Sequence, residues 1–456
     1  MSHFSYKDCG KIGRLINISP EWTANGVSTD TRSLKAGNLF FALSGDRFNG
    51  HAYIKEAVTN KAAAAVVSEA WFEKNKTDYA VEKLIVTQQP LSALQNMAKL
   101  HRRRSEASVI AITGTNGKTT CKEMTFAVLS KNFRTTATHG NLNNEIGVPL
   151  TLLNIEHDTQ AVVVEMGADK KGDISFLCDL AQPDSGVITN IGIAHIQSFG
   201  TIDAVAKTKC ELFEALSADG VRFVNMDDEH LSPHAKPTKG LVTFGVKNEA
   251  NFKAEILSLD KHACAKIRIH APETHTLDIQ LNVPGSHQAY NALIAAAIGF
   301  SLGVNDTDIT SALEHYSQPS NRMGVRRHHG ITILDDTYNA NPDSMRAALD
   351  TLMNVKRNGR AIAVLADMLE LGPISADEHA KIGEYVSKKK TDALFTTGVE
   401  SKIVHEHAKS VSSNLYFEKK NDLLTELKKF IKSGDTVLVK GSRGMKMEDV
   451  INALIS

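Results

Sequence analysis

The sequence predicts an α/β protein of three domains with parallel sheets. At 456 residues the chain is too long for one ordinary hydrophobic core, so two or three domains are expected. In the middle of the chain, short β-branched apolar runs alternate with helix-length segments, which is typical of a parallel sheet covered by helices on both faces. The same alternation begins again after Ser317 and predicts a second such sheet.

The first domain is predicted to span residues 1–82. An apolar strand is expected at residues 39–43, where the turn residues Ser44 and Gly45 follow. A helix at 53–60 then leads into a strand at 62–67.

The central domain is predicted to span residues 83–317. A helix at 91–104 precedes strands at 109–112, 161–164 and 187–189, and residues 252–281 resemble a series of short strands. An alanine-rich helix at 288–302, ended by Gly303, closes the unit.

The third domain is predicted to span residues 318–456. Strands are expected at 331–334, 361–365, 393–396 and 436–439, each separated from the next by a helix-length segment. The pattern is Rossmann-like, although it lacks a G-x-G-x-x-G turn.

Composition excludes several classes of protein. Lysine plus arginine equals aspartate plus glutamate at 52 each, which argues against a nucleic-acid-binding protein. The five cysteines are scattered and form no C-x-x-C pair, which disfavours disulfides and a cysteine-based zinc site. The N-terminus lacks the apolar core of a signal peptide, and no apolar run approaches the length of a membrane span. A cytoplasmic protein is therefore expected.

A phosphate-binding loop is predicted at the start of the central domain. The segment TGTNGKTT, residues 113–120, follows the strand at 109–112 and opens a helix. Such a turn aims backbone N–H groups at one point, while Lys118 supplies a charge for the β- and γ-phosphates and Thr119 a hydroxyl for Mg²⁺. The usual pattern would have glycine where this chain has Ile112. The expected fold is thus a central P-loop parallel sheet domain followed by the C-terminal Rossmann-like domain.

Two further residues lie where a metal ion bound to a nucleotide would need ligands. Glu165 ends the strand at 161–164, and His195 follows the end of another strand. Each residue taken alone also fits a structural role, and the sequence leaves both interpretations open.

Lys209 falls within the apolar stripe of a helix predicted at 201–216, seven residues from both Ile202 and Leu216. A lysine on a buried face must be paired, neutral or chemically altered, since burial disfavours the ammonium form. A neutral amine can add CO₂ to give a carbamate that binds Mg²⁺. A lysine whose ammonium group reaches water is the alternative.

These segments resemble a known family. GTNGKT at 114–119, Glu165, His195 and AKTK at 206–209 are similar to the ATP-binding domain of the Mur ligases, and the resemblance spans nearly the whole chain. It implies three domains that bind a UDP-substrate, ATP and an amino substrate. It also implies ATP and Mg²⁺ as cofactors, with catalytic roles for Lys118, Glu165, His195 and Lys209, and metal ligation by Thr119, Glu165, His195 and Lys209 as its carbamate.

Other positions carry over from the family one by one. The implied ATP contacts are Thr113, Gly114, Thr115, Asn116, Gly117, Lys118, Thr119, Thr120, His287, Asn291, Arg322 and Asp336. The implied UDP-substrate contacts are Ser28, Thr29, Arg32, Arg47, Asn49, Gly50, His51, Asn141 and Asn144. The chain departs from the family at Cys210, where glycine is usual, and beside Arg322, where Asn321 and Gly324 replace glycine and glutamate.

Four segments resemble the family member that adds D-alanyl-D-alanine, at 141–149, 335–342, 367–372 and 438–444. They imply small-molecule substrates, UDP-N-acetylmuramoyl-tripeptide and D-alanyl-D-alanine. The charge balance predicts no nucleic-acid partner, and a monomer is expected. The alternatives are another Mur-type ligase, which adds a single amino acid to a shorter precursor, and a P-loop kinase or NTPase. The last would turn over ATP without an amine and would leave Lys209 unexplained.

Overall fold

The computed structural model describes residues 3–45, 48–318, 321–355 and 359–455. Within these ranges the strands form a five-stranded, a nine-stranded and a six-stranded sheet in order along the chain, besides two small two-stranded sheets. This arrangement confirms the predicted α/β class with three domains.

The first part of the chain builds a largely parallel sheet in the order β2-β9-β8-β5-β4, with β2 antiparallel to β9. The strands in this part of the chain are β1 (His3–Ser5), β2 (Arg14–Ile16), β3 (Thr23–Asn25), β4 (Val27–Ser28), β5 (Leu39–Phe41), β6 (Ser44–Gly45), β7 (Phe48–Asn49), β8 (Ala64–Ser68) and β9 (Leu84–Thr87). The pairs β1–β3 and β6–β7 form the two small sheets. Its helices are α1 (Tyr6–Cys9), a 3₁₀ turn at Gly50–Tyr53, α2 (Ile54–Thr59), α3 (Glu69–Asn75) and α4 (Pro90–Arg102).

The predicted division between residues 82 and 83 falls just before β9, which pairs with β8 in the first sheet. An apolar run reveals a strand but not the neighbour with which it pairs, because pairing is non-local. We therefore place β9 in the first domain, which extends at least to Thr87.

The middle of the chain builds the largest sheet, in the order β11-β12-β10-β13-β14-β15-β16-β17-β18. The strands are β10 (Ser108–Thr113), β11 (Thr135–Ala137), β12 (Ala161–Glu165), β13 (Ser185–Ile188), β14 (Val221–Asn225), β15 (Leu241–Gly245), β16 (Phe252–Leu259), β17 (Cys264–His270) and β18 (Thr276–Pro284). The helices are α5 (Lys118–Leu129), α6 (Gly147–Leu153), α7 (Asp173–Ala181), α8 (Ile196–Phe199), α9 (Ile202–Ala215), α10 (Gln288–Ser301) and α11 (Asp306–Glu314), with 3₁₀ turns at Ser232–His234 and Pro272–Thr274.

The strands of this sheet run parallel as far as β16, and β16, β17 and β18 then pair antiparallel, in the region where short strands are predicted. Alternate residues of β10 enter different cores: Val109 packs on one side of the sheet and Ile110 on the other. The strand is thus buried on both faces, as its continuous apolar run predicts.

The last part of the chain builds a sheet in the order β19-β20-β24-β21-β22-β23, parallel except for the edge strand β19. Its strands are β19 (Gly324–His328), β20 (Ile331–Asp336), β21 (Ala361–Ala366), β22 (Ala393–Thr397), β23 (Ser413–Phe417) and β24 (Thr436–Lys440). Its helices are α12 (Pro342–Val355), α13 (Ser375–Lys388), α14 (Ser401–His407), α15 (Lys420–Phe430) and α16 (Glu448–Ile455), with 3₁₀ turns at Gly372–Ile374 and Arg443–Met445.

Strand order in the middle sheet decides which loops meet. β10 lies between β12 and β13 and is parallel to both. The register places Ile112 beside Glu165, and Thr113 beside Ile188. Since the carboxyl ends of parallel strands share one edge of a sheet, the glycine-rich turn after β10 and the segments after β12 and β13 are neighbours.

Two expectations from composition can be compared with the structure. All five cysteines are buried and free. Among the helices that the structure describes, none is long and apolar enough to cross a membrane.

Candidate active site

The turn after β10 requires glycine at two positions. Gly114 has φ +144°, and a Cβ there would come within 1.9 Å of the Thr189 hydroxyl oxygen. Gly117 has φ +80°, and its Cβ would come within 2.6 Å of the Asn291 Oδ1. Both angles lie in the region that favours glycine, and both side-chain positions are already filled. The turn is therefore packed closely against the end of β13 and against α10.

Hydrogen bonds from the segment after β13 hold the same turn. The Thr115 N–H donates to the Asn190 carbonyl at 2.9 Å, and the Asn116 N–H donates to the Asn190 side-chain oxygen at 3.0 Å. The Thr189 hydroxyl donates to the Asn116 carbonyl at 2.6 Å. Thr189 and Asn190 thus shape the glycine-rich turn, a role that sequence reasoning missed. Below the turn, the Thr113 hydroxyl donates to the Met166 carbonyl at 2.8 Å.

Lys118 folds back over the turn that precedes it. Its ammonium group donates to the carbonyls of Gly114 at 2.8 Å and Thr115 at 3.1 Å. Burial lowers the pKa of Lys118, and the nearby Glu165 carboxylate opposes that effect. Thr119 and Thr120, the next residues of α5, are buried, and the Thr120 hydroxyl accepts a long hydrogen bond from Gln318 at 3.4 Å. The start of α5 therefore presents one ammonium group and two hydroxyls to whatever the turn binds.

Glu165 is a carboxylate buried at the end of β12, only 1% exposed. Its Oε1 accepts a hydrogen bond from the Asn143 side-chain amide at 2.7 Å, while its Oε2 is buried without a partner. An ionised oxygen buried without a donor is costly, and carboxylate oxygens are preferred ligands of Mg²⁺. The unpartnered oxygen therefore fits a bound cation. Asn143, which orients the carboxylate, lies inside a recognised motif, but no local signal identifies its partner.

His195 lies at the N-terminal end of α8 with φ +53°. Its Nδ1 lies 2.6 Å from a carboxylate oxygen of Glu370 and 3.5 Å from one of Asp169. Glu370 belongs to the third domain, between β21 and α13. The histidine therefore stands where the central and third domains meet.

Lys209 lies on the buried face of α9, as the apolar stripe predicts, and is 4% exposed. No hydrogen-bond or ion-pair partner is found for its amine among the described residues. Burial lowers the pKa of Lys209 well below its usual value of 10.5; the nearby Lys118 lowers it further and Asp169 opposes the shift. Cys210, which replaces the usual glycine, is buried beside it, while Lys207 is exposed. Burial at this site therefore disfavours the charged ammonium form of Lys209.

The predicted ATP contacts His287 and Asn291 lie at the start of α10. The Asn291 side-chain amide donates to the side-chain oxygen of Gln288 at 2.8 Å, and a ring nitrogen of His287 lies 3.1 Å from the Gln288 amide nitrogen. Burial lowers the pKa of His287, with Asp336 acting in the opposite direction.

The third domain reaches the same place from the other side. The Arg322 guanidinium lies 3.6 Å above the centre of the Tyr338 ring, and Asp336 accepts a hydrogen bond from the buried Lys440 at 2.5 Å. Asn341 donates to the Asn116 side-chain oxygen at 2.8 Å, so the two domains are in direct contact at the glycine-rich turn.

A cavity of about 850 Å³ joins these groups between the central and third domains. Asn144 of the predicted UDP-substrate set lines the cavity. So do all the predicted ATP and metal residues except Thr113, namely Gly114, Thr115, Asn116, Gly117, Lys118, Thr119, Thr120, Glu165, His195, Lys209, His287, Asn291, Arg322 and Asp336. In the described part of the chain, no group of three or more His, Cys, Asp or Glu side chains could hold a metal ion. A cation here would need oxygen ligands from a bound nucleotide as well.

The predicted UDP-substrate residues of the first domain do not line this cavity. Ser28 ends β4, and Thr29 and Arg32 lie between β4 and β5. Asn49 ends β7, and Gly50 and His51 lie in the 3₁₀ turn that follows. Arg32 is exposed and pairs with Asp30 at 2.5 Å, whereas His51 is buried and accepts the Ser68 N–H at 3.0 Å. Asn141 is exposed, and the Asn144 side chain accepts the Gly147 N–H at 3.0 Å. Arg47 lies outside the described residues.

Comparison with known proteins identifies the family. Three family descriptions match: Mur ligase family, catalytic domain, at residues 23–102; Mur ligase middle domain at 112–299; and Mur ligase, glutamate ligase domain, at 321–443. Two curated relatives are named UDP-N-acetylmuramoyl-tripeptide--D-alanyl-D-alanine ligase. The relative from Bacillus subtilis is 35% identical over 97% of this chain and 96% of its own length, and that from Escherichia coli is 36% identical over 95% and 94%.

Comparison with solved structures indicates the same family. A crystal structure of MurF from Acinetobacter baumannii has a TM-score of 0.89 at 29% identity, covering all of this chain and 99% of that one. MurF from Thermotoga maritima in complex with ADP has a TM-score of 0.80 at 26% identity, covering 94% and 97%. The predicted enzyme class, an ATP-dependent amide-forming ligase that uses Mg²⁺, is confirmed by these matches. With sequence and fold in agreement over nearly its whole length, this chain belongs to the Mur ligase family.

Proposed function

We propose that this protein joins D-alanyl-D-alanine to UDP-N-acetylmuramoyl-tripeptide, with hydrolysis of ATP to ADP and phosphate, and so forms the pentapeptide precursor of peptidoglycan. The main support is the convergence of Lys118, Glu165, His195 and Lys209 on one cavity that the third domain helps to enclose. The relatives described above carry this activity in their names over nearly their full length.

The chemistry explains why such a cavity is needed. A carboxylate is a poor acylating agent because oxide would have to leave. Transfer of the γ-phosphoryl group of ATP to a carboxylate oxygen of the tripeptide gives an acyl phosphate and ADP. The amine of D-alanyl-D-alanine then attacks the acyl carbon, the amide bond forms, the nitrogen loses a proton, and phosphate leaves.

The main obstacle to this reaction is electrostatic repulsion, because the triphosphate of ATP and the carboxylate of the substrate are both negative. The Lys118 ammonium and the N–H groups of the turn act on the phosphate oxygens, and they act most strongly where water is excluded. Bound Mg²⁺ would supply further positive charge to offset this repulsion. Thr119 and Glu165 would hold one ion, and His195 and the carbamate of Lys209 a second.

The remaining residues position the substrates. His287 and Asn291 hold the adenosine, and Arg322 and Asp336 reach ATP from the third domain. In the first domain, Ser28, Thr29, Arg32, Arg47, Asn49, Gly50 and His51 contact the uridine diphosphate, together with Asn141 and Asn144 of the central domain. The hydrogen bond that the Ser68 N–H donates to His51 supports a role for His51 in shaping that site. The first domain extends through Thr87, and the third begins near residue 318.

The same proposal includes a monomeric enzyme in the cytoplasm, where a UDP-linked substrate and ATP are both available. The five free, buried cysteines support a reducing compartment.

One experiment tests the substrate assignment. Phosphate release from ATP is measured with UDP-N-acetylmuramoyl-tripeptide, with and without D-alanyl-D-alanine, and with single amino acids in its place. We expect release that depends on the dipeptide, and its loss in Lys118→Ala. Equal release with a single amino acid and a shorter precursor would favour another Mur-type ligase, and release without any amine would favour a kinase or NTPase.

A further inference from the structure

Glu370 and His195 form a close pair across the boundary between the third and central domains. The distance from Glu370 Oε2 to His195 Nδ1 is 2.6 Å, whereas the Asp169 carboxylate lies 3.5 Å from the same nitrogen, beyond a good hydrogen bond. An ionised carboxylate only accepts hydrogen bonds, so Nδ1 must carry a hydrogen, and in the neutral imidazole that is the only ring N–H. The other nitrogen, Nε2, then keeps its lone pair.

The backbone supports this contact on both sides. His195 and Glu370 adopt left-handed conformations, with φ of +53° and +66°. The Gln197 N–H donates to the Glu370 carbonyl at 3.0 Å, and Gly372 packs so closely on Gln197 that a Cβ there would lie 3.1 Å from its Cα. A non-glycine residue in the left-handed region is strained and persists where its surroundings determine it. Two such residues facing each other indicate a contact with a fixed geometry.

The loop that carries Glu370 is anchored within its own domain. The carboxylate of Asp367 accepts the N–H groups of Val399 at 3.0 Å and Ser401 at 2.7 Å. The fully buried His379 accepts the Met368 N–H at 3.0 Å. The Ser442 hydroxyl accepts the Leu369 N–H at 2.8 Å. Glu370 is therefore presented by a loop that is held by hydrogen bonds within the third domain.

We propose that Glu370 is a positioning residue, which fixes the orientation and the Nδ1–H tautomer of His195 and does so only while the third domain lies against the central one. A carboxylate that holds one ring nitrogen of a metal-binding histidine sets the ring for ligation through the other. The pairing thus makes His195 ready for Mg²⁺ only in the assembled enzyme. This inference rests on the proposed ligase function for its consequence, but not for the pairing itself.

The pairing can be measured without any ligand. Ring ¹⁵N and ¹H signals of selectively labelled histidine, with His195 assigned from the spectrum of His195→Gln, report which nitrogen carries the hydrogen. We expect the Nδ1–H form in the native protein and in Glu384→Ala, which removes an exposed glutamate of α13. In Glu370→Ala the Nδ1–H signal should disappear, whereas Glu370→Gln, which keeps an acceptor oxygen at the same length, should retain it.

The functional consequence is measured separately. Glu370→Ala should lower kcat and raise the Mg²⁺ concentration for half-maximal rate by roughly 10- to 100-fold, the usual effect of losing such a partner. Glu370→Gln should recover most of both, and Glu384→Ala should match the native enzyme.

The two assays separate the possible failures. An unchanged Nδ1–H signal in Glu370→Ala, or hydrogen on Nε2 in the native protein, would overturn the pairing. A native rate and Mg²⁺ response in a folded Glu370→Ala would overturn the positioning role. If the native enzyme ligated no D-alanyl-D-alanine while the signals behaved as expected, the proposed substrate would fail and the pairing would stand. Should Glu370→Ala not fold, the native spectrum alone still tests the pairing, because hydrogen on Nε2 would overturn it.

Discussion

At the scale of single residues, burial decides the chemistry of Lys209. Its amine is removed from water, lies near a second ammonium group on Lys118, and has no close carboxylate partner among the described residues. These conditions disfavour the charged form, and a neutral amine is the form that reacts with CO₂. The exposed Lys207, two residues earlier on the same helix, has none of these constraints.

Replacement of Lys209, but not of Lys207, should therefore lower the ligation rate. We expect Lys209→Ala to lower the ligation rate at least ~100-fold, the upper end of what loss of an outer-shell partner of a metal costs. Short carboxylic acids added to the assay should restore part of the rate, because they supply the missing carboxylate. Lys207→Ala serves as the matched control and should keep the native rate. A Lys209→Ala enzyme with full activity would show that the residue is only structural.

At the scale of elements, the turn between β10 and α5 depends on close packing against its neighbours. Gly114 leaves no room for a side chain beside Thr189, and Gly117 leaves none beside Asn291. The strand order that places β13 next to β10 creates the first of these contacts.

Gly114→Ala should distort this turn. A methyl group would meet the Thr189 hydroxyl, and alanine would also adopt an unfavourable φ, so we expect a loss of stability of about 2–3 kcal/mol and no measurable ADP binding. Gly303→Ala is the control, since Gly303 also has a positive φ but has open space around it. It should cost only about 1 kcal/mol and leave ADP binding intact. Calorimetric titration with ADP and Mg²⁺, with thermal unfolding in parallel, measures both effects. Equal ADP binding by the two variants would contradict the packing argument.

A second element-scale contact joins α1 to the end of α4. Asp8 forms a capping box with Ser5 and an ion pair with Arg104. Burial acts to raise the pKa of Asp8, but the bonds from Arg104 and Ser5 outweigh it, and the pKa falls from 3.8 to about 2. A carboxyl group whose pKa is lowered on folding stabilises the protein above its unfolded pKa, and this contribution is lost as the pH falls through its folded pKa.

Asp8→Asn should therefore destabilise the protein at neutral pH by about 1–2 kcal/mol, allowing for the half-exposed Arg104. The difference from the native protein should shrink as the pH falls from about 4 towards 2. Urea unfolding at pH 7, 4 and 2.5 measures it, with the exposed Glu21→Gln as control. A difference that does not change over this range would show that the Asp8 charge is not responsible.

At the scale of the whole molecule, the cavity belongs to two domains. The central domain supplies the glycine-rich turn, Glu165 and Lys209, while the third supplies Arg322 and Asp336. The hydrogen bond from Asn341 to Asn116 joins the domains at the turn itself. A nucleotide bound in this cavity would contact both, so its binding energy stabilises their association.

Hydrogen exchange should reveal this coupling. When ADP and Mg²⁺ are present at about 100 times the dissociation constant, binding stabilises the protein by about 2.7 kcal/mol. Amides that become exposed only when the nucleotide dissociates should therefore exchange about 100-fold more slowly. We expect protection at residues 114–120 and also at 336–341 of the third domain. Lys118→Ala should show neither. Protection confined to the central domain would mean that the two domains bind nucleotide independently.

Local features were predictable because they depend on near neighbours in the chain. The strand–turn–helix at 108–129, the burial of Lys209 on α9 and the position of Glu165 at a strand end follow from periodicity and turn chemistry. These patterns, with the motifs of the family, determined the α/β class, the ligase family and the main residues of the cavity.

Only the tertiary structure decided which distant side chains pair. Asn143 with Glu165, Glu370 with His195, Asn341 with Asn116, and the membership of β9 in the first sheet all join separate segments, and no local pattern specifies such partners. The sequence by itself determined the elements and the reactive groups at their ends. Their mutual orientation was decided by strand order and domain packing, because contacts between remote segments arise only when the whole chain is folded.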